Sequence, residues 1–485
     1  MQRKFLSGLV IMLVLNLLIK PVAIFGIDAE IQNRVGNENY GIYFSLLSFS
    51  FLFNILMDFG INNFTTKSVA QQPKVATSYL GKILVFRFVL FVFYAVISFT
   101  IALSLGWRGN ELYLLSFLVF NQFLVTMIAY ARSHFAGLLQ FKTEALLSIL
   151  DRFLLIVICG TLLYTPLSGD GTFQIEWFIW IQTVCYGLTC VVAFALLLKK
   201  VGRPKLSYRP IFSYAIIRKS VPYALLILLM MIYTRVDSVM IERLHPSGKE
   251  EAGYYAQGFR LFDALFGFAM IFSTLLFPIF SKMLKAKEDI KPLLASATKL
   301  LIGGTFALAI IACFNSEMIL GWIYDHNVLE SEKPFQLLMI AFVGMCANLI
   351  FGTLLTADGS LKFLNIVSAI GILLNIGINS YLIPEYGANG AAFATLITQS
   401  SVSLAQIVYC VYRYSLVPSI VQIFLFVGYV GFVFAISYFI EVETVWLFLA
   451  ICAVAFIGLI GFKLIDLKQL KIVFTQVPQE EISEG

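Results

Sequence analysis

This sequence has little charge. Asp, Glu, Lys and Arg make up 13% of its 485 residues, against 60% hydrophobic, where a soluble globular chain carries about 25% charged residues. That excludes an ordinary water-facing surface. Histidine is scarcer still: His134, His245 and His326 are far apart, with no HExxH or Cys/His spacing near them, so there is no metal motif. Walker-type glycine loops and nucleophile elbows are missing too. The seven cysteines (Cys159, Cys185, Cys190, Cys313, Cys346, Cys410 and Cys452) all fall within apolar runs. There they read as small packing residues, not as disulfides or metal ligands. Nor is there a long polar insertion. The longest connections, near 198–219 and 315–334, have roughly twenty residues, short of the fifty or so that an independent domain needs. Enzymatic chemistry would have to come from the apolar core or from another chain, and no cofactor is implied.

What the sequence does have is a series of apolar runs from end to end. A membrane span needs about 20 mostly apolar residues. By that measure spans fall near 5–27, 40–60, 81–105, 112–131, 145–165, 174–197, 220–241, 256–281, 295–314, 335–356, 364–383, 388–412, 418–440 and 444–463. The chain therefore reads as an all-α polytopic membrane protein of about 14 transmembrane helices. The first run follows "MQRK", is long and is interrupted by Lys20, so it is read as a retained span rather than a cleaved signal. With the N-terminus inside, 24 of the 34 Lys and Arg fall on inner segments and the span ends adjoining them, 5 in outer loops and 5 within spans. That bias places both termini in the cytoplasm. The basic run "KKVGRPKLSYRP" is then an anchor facing anionic headgroups, not a nucleic-acid site. The segment 282–294 reads as an interfacial helix.

An internal repeat is also present. "NYGIYFSLLSF" at 39–49 resembles "EAGYYAQGFRLF" at 251–262, with Gly41 and Gly253 offset by 212. A weaker echo pairs Leu138 and Leu139 with Leu354 and Leu355 at an offset of 216. One duplication of about 214 residues would give two six-helix lobes related by a pseudo-two-fold along the membrane normal, the parallel type of transporter repeat. The expected division is 1–200 for the first lobe, 201–219 for a cytoplasmic linker, 220–413 for the second lobe and 414–485 for two extra helices and a tail.

Four segments carry a family resemblance: the Gly-x-Tyr after the first span, "LMDFGINNFTTKSVAQQ", "TRVDSVMIERL" with "EAGYYAQGFRLFD", and "LNIGINSYLIPEYGANGAAFATLITQ". Together they resemble the O-antigen-type polysaccharide flippases of the multidrug/oligosaccharidyl-lipid/polysaccharide exporter superfamily. The resemblance implies a bacterial inner-membrane protein with two lobes around a central cavity. Its cargo would be an undecaprenyl-pyrophosphate-linked oligosaccharide, moved from the cytoplasmic to the periplasmic leaflet. Membrane lipids, and the polymerase and ligase machinery of surface polysaccharide synthesis, would be its partners.

Charges within the spans are the candidate site. A mid-helix Arg or Asp facing lipid costs roughly 2.5–3.5 kcal/mol on insertion scales, so each needs a wet or polar neighbour. The bases are Lys20, Arg87, Arg152, Arg235 and Arg260; the acids are Asp58, Asp151, Asp237 and Asp263. Arg235 and Asp237 point about 200° apart on one helix and cannot neutralise each other, whereas Arg260 and Asp263 share a face. Asp58 reads as a helix-end residue, and Asp151, Asp237 and Asp263 as pairing or coupling acids. Five cations against four carboxylates has the sign a diphosphate requires. By position along the spans, Arg87 and Arg152 form an inner level and Lys20, Arg235 and Arg260 an outer one. Each also lies near enough to a helix end to snorkel toward headgroups. Asn16 stands one turn before Lys20, and Pro21 bends that helix. Asn375 and Asn379 could hydrogen-bond sugars or glue helices together, and Gly387, Gly390, Ala391 and Ala394 form a close-packing face. Two other readings remain open. A cation-coupled multidrug antiporter of the same superfamily would need an acidic cavity, and a membrane glycosyltransferase or polymerase would need a large outer loop.

Overall fold

The computed structural model describes residues 15, 16, 18–165, 173–207, 210–416, 419–440, 442, 444–462 and 464. The start of the first predicted span and the C-terminal tail lie outside these. Sixteen helices follow in order: α1 (Val22–Asp28), α2 (Ala29–Leu52), α3 (Ile61–Gln71), α4 (Ala76–Ser104), α5 (Asn110–Gly137), α6 (Phe141–Leu147), α7 (Leu150–Tyr164), α8 (Ile175–Val201), α9 (Pro210–Leu244), α10 (Gly248–Ala286), α11 (Lys291–Phe314), α12 (Ser316–Gly321), α13 (Val328–Ala357), α14 (Leu361–Tyr414), α15 (Ile420–Phe439) and α16 (Val445–Gly461). Among the described residues ten helices are long and apolar enough to cross a membrane, α6 and α7 counting together as Phe141–Tyr164, and the bent run through α1, α2 and α3 makes an eleventh. The protein is an all-α polytopic membrane protein. α14 has 54 residues but is broken at Gly387 (φ 50°, ψ −125°), so this one element contains two predicted spans.

The chain divides into two compact units, residues 1–256 and 257–485. In the first, apolar side chains of α3, α4, α5, α6 and α8 meet in a core that includes Ile61, Leu80, Phe86, Tyr130, Leu147 and Leu197. Here α2 approaches the start of α10 unusually closely. A methyl group on Gly41 would overlap the Lys249 carbonyl, and one on Gly253 would overlap that of Asn37. Each glycine of the repeated Gly-x-Tyr thus meets the backbone four residues before the other. Small residues permit this kind of backbone contact.

In the second unit α15 and α16 pack against α11 through Ala307, Ile311, Tyr429, Val433, Ile451 and Leu459, and Tyr429 donates to the Ala455 carbonyl at 3.1 Å. Gly387, Gly390, Ala391 and Ala394 are buried. A side chain on Gly390 would strike the Leu382 backbone, so the two arms of α14 touch across the break.

Two expectations need correction. There is no separate helix at 282–294: α10 continues to Ala286 and α11 begins at Lys291. Lys287 adopts positive φ (55°), and the Glu288 and Lys287 amides donate back to Met283 and Leu284. This left-handed cap ends a helix. The second repeat offset is also different. Leu138, Leu139, Gln140 and Glu144 donate to His134, Ala136, Phe135 and Gln140, while Asp358, Gly359, Ser360 and Leu364 donate to Leu354, Thr356, Leu355 and Ser360. These are the same turn at an offset of 220. Matching the leucines at 216 slipped the alignment by four residues, about one helical turn, which keeps the same face and so the same apolar pattern.

Candidate functional site

The first described helix is bent twice. Immediately after Pro21 it widens into π-turns over Val22–Asp28, and at Gly36 (φ 79°) it kinks. Its helical run passes well beyond residue 27, where the apolar pattern stops, through Asp28, Glu30, Gln32 and Arg34. Arg34 and Glu30 pair at 2.7 Å, one turn apart. Lys20 is therefore much farther from the end of its helix than apolarity alone suggests.

Lys20 is exposed and lies within electrostatic reach of Arg152, Arg132 and Asp151. A break at Ile149 (φ −122°) separates α6 from α7 and puts Asp151 in the first turn of α7, where a carboxylate is favoured by the helix dipole. Arg152 Nε stands 3.7 Å from Asp151, and its side chain is 41% exposed. Beside them Arg132 grips one Glu144 oxygen through two nitrogens, at 3.0 and 2.5 Å. Asn16 donates to Ser148 at the break, at 3.2 Å. Behind this rim Arg152 feels Tyr186, Tyr43 and Asp28. These are fixed groups: Tyr40 donates to buried Asp28 at 2.8 Å and Gln182 to Tyr43 at 2.9 Å. Three cations thus face one place, with Glu144 and Asp151 at the rim and Asp28 behind. The three carboxylates offset the repulsion among the cations, and the guanidinium groups suit phosphate oxygens as well.

Arg87 occupies a different setting. It is 1% exposed and spans the bend after α2. It donates to Asp58 at 2.8 Å, to Asn62 at 2.6 Å and to the Met57 and Thr126 carbonyls at 3.3 and 3.4 Å. The Tyr130 ring lies 4.7 Å from the guanidinium carbon. Asp58 also accepts from the Gly60 and Asn62 amides, so it caps the start of α3 as a helix-end residue.

Of the remaining candidates, Arg235 is half-buried with its guanidinium 5.3 Å from the Phe51 ring. Asp237 is 1% exposed and accepts from Tyr255 at 3.0 Å. The two face different neighbours, as their spacing requires. Arg260 and Asp263 are half-buried on α10, in the second unit. Asn375 and Asn379, on α14 of the same unit, are fully buried and joined at 3.1 Å.

The structure therefore brings together Lys20, Arg152, Asp151 and, through Ser148, Asn16. The two-level arrangement does not hold for Lys20 and Arg152, which share one neighbourhood because the first helix is longer than its apolar stretch. Sequence reasoning passed over Arg132, Glu144 and Asp28. All three had been assigned to loops, although Arg132 and Glu144 flank one inner turn and could have been paired across it.

The profile of the family described as polysaccharide biosynthesis protein matches residues 6–284, more than half of the chain. The chain belongs to this family. The polysaccharide biosynthesis profile is joined by that of the MatE family over residues 222–381. No curated protein matches at a significant level. Among solved structures, the lipid II flippase MurJ in its inward closed conformation is similar over 95% of this chain and 100% of its own, at 16% identity and a TM-score of 0.69. An inward-facing multidrug resistance MATE transporter is similar over 81% and 94%, at 14% identity and 0.64. A superfamily transporter from Pyrococcus furiosus, with a binding pocket of reversed polarity, is similar over 85% and 95%, at 13% identity and 0.55. These likenesses establish the superfamily fold for this member of the polysaccharide biosynthesis family.

Proposed function

We propose that this protein is a flippase that moves an undecaprenyl-pyrophosphate-linked oligosaccharide from the cytoplasmic to the periplasmic leaflet of a bacterial inner membrane. In this reading both termini are cytoplasmic and the lobes 1–200 and 220–413, joined by 201–219, alternate access to a cationic cavity. The helices beyond 414 are an addition, and the product feeds surface polysaccharide assembly of the O-antigen type, with polymerase and ligase as downstream partners. The observation that carries the proposal is the convergence of Lys20, Arg132 and Arg152 beside one broken helix. Their charge suits a diphosphate, and Arg132 and Arg152 lie near the helix ends that the basic-residue bias puts inside, where the cargo is loaded. The polysaccharide profile over residues 6–284 supports the same cargo class.

A cation-coupled multidrug antiporter is the second reading, favoured by the MatE profile over 222–381. It fits less well with the three cations Lys20, Arg132 and Arg152 of the first unit, although Asp28, Glu144 and Asp151 match them in number.

The two readings separate in proteoliposomes. A fluorescent polyprenyl-diphosphate oligosaccharide should flip with the wild type. Lys20→Glu and Arg152→Glu should each slow it roughly ten- to a hundredfold, the loss of one charge-assisted contact, with thermal stability retained. Full activity in both variants removes the cluster from the mechanism, and uptake of a cationic dye without lipid flipping favours the antiporter.

A further inference from the structure

The Arg132–Glu144 pair is not needed for the turn it brackets. The same four backbone hydrogen bonds form at 354–364, and there, at the offset of 220, Gly352 stands in place of Arg132 and Leu364 in place of Glu144. That turn closes by other residues, with Gly359 at the positive φ and Asp358 3.9 Å from Arg413, so the backbone alone does not demand the Arg132–Glu144 pair and leaves it open to another duty. Its location points to that duty. Arg132 is one of three cations facing the same place; its side chain is 28% exposed, and a single carboxylate oxygen takes two of its nitrogens. A phosphate oxygen offers the same geometry.

We infer that Glu144 is an internal substitute for the cargo's phosphate, holding Arg132 until phosphate oxygens take its place and so making α6 responsive to loading. The inference rests on the flippase reading above. α6 is built for such a response. It has seven residues, is preceded by Leu139 at positive φ (58°) and is followed by the break at Ile149. Ala145 and Leu147 are buried and hold the helix to the core, so release of Glu144 tilts α6 about that anchor. Ser148, bonded to Asn16 of the first span, carries the tilt to the helix bearing Lys20. A rival account gives the pair only the task of offsetting the unfavourable backbone at Leu139. Under it, removing Glu144 lowers stability and leaves affinity unchanged.

The test uses the full chain in phosphatidylcholine nanodiscs, with farnesyl diphosphate as probe and farnesol as the uncharged control. Glu144→Gln should bind farnesyl diphosphate about tenfold tighter than wild type, since it removes the competitor for a charge-assisted contact, and bind farnesol no better. Amide exchange over residues 139–149 should rise in the wild type when farnesyl diphosphate is added, and be raised without it in Glu144→Gln. The gain should vanish in the Arg132→Gln background. If wild type binds the diphosphate and Glu144→Gln binds it equally or more weakly, or if the gain survives in Arg132→Gln, the inference falls while the flippase reading stands. Failure of both proteins to bind any diphosphate overturns both. Adding phosphatidylglycerol to the discs distinguishes the phosphate source: competition with the probe makes a lipid headgroup an occupant of the same place.

Discussion

Arg87 and Arg152 belong to the same compact unit, were singled out by the same argument and have opposite surroundings. Arg87 is sealed in, with carboxylate, amide and carbonyl oxygens on its guanidinium and an aromatic ring over it. Arg152 is 41% exposed, 3.7 Å from the neighbouring Asp151 and within electrostatic reach of Tyr186. A buried cation whose donors meet acceptors supplied by the protein, as those of Arg87 do at all but its Nε, stabilises a fold. One with donors to spare can bind a ligand. Depth in the membrane does not distinguish the two cases, whereas the supply of partners does, and breaking a buried pair costs far more than breaking an exposed one.

Three measurements probe this contrast. The largest effect is expected for Arg87→Met, which leaves Asp58 without its cation at the bend after α2. Unfolding in detergent should show a loss of about 3–5 kcal/mol, and a loss below 1 kcal/mol would remove Arg87 from the scaffold. Next, double-mutant cycles should give a coupling of roughly 1.5–3 kcal/mol for Arg87 with Asp58, against less than about 1 kcal/mol for Arg152 with Asp151, exposed as that pair is. Equal couplings would erase the distinction. The smallest effect is that of Arg152→Gln on stability, expected within about 0.5 kcal/mol in the same denaturation assay while flipping declines.

The membrane spans were legible because apolar length alone sets them. Each predicted run from 40–60 onward falls on a helix, including the two that α14 joins across Gly387. The end of the first helix was not legible, since Asp28, Glu30 and Arg34 look like loop residues until Tyr40 and an i,i+4 pair are seen to hold them. That misplacement put Lys20 on the wrong level. The polar cluster was half legible. Lys20, Arg152 and Asp151 stand out as charges in apolar runs, but Arg132 and Glu144 sit at a turn where charge is ordinary. Only the comparison of the turn with its counterpart at 354–364 sets the pair apart. Pairing between residues far apart in sequence, such as Arg87 with Asp58, depends on how helices meet, and no local pattern encodes it.

The meeting of Gly41 with Gly253 has one more implication. Because each sits against main chain belonging to the other's helix, four positions earlier, a bulkier residue at either one meets a carbonyl oxygen that no side-chain rotation can move aside. The crossing therefore ties two distant stretches of sequence to the same demand for smallness.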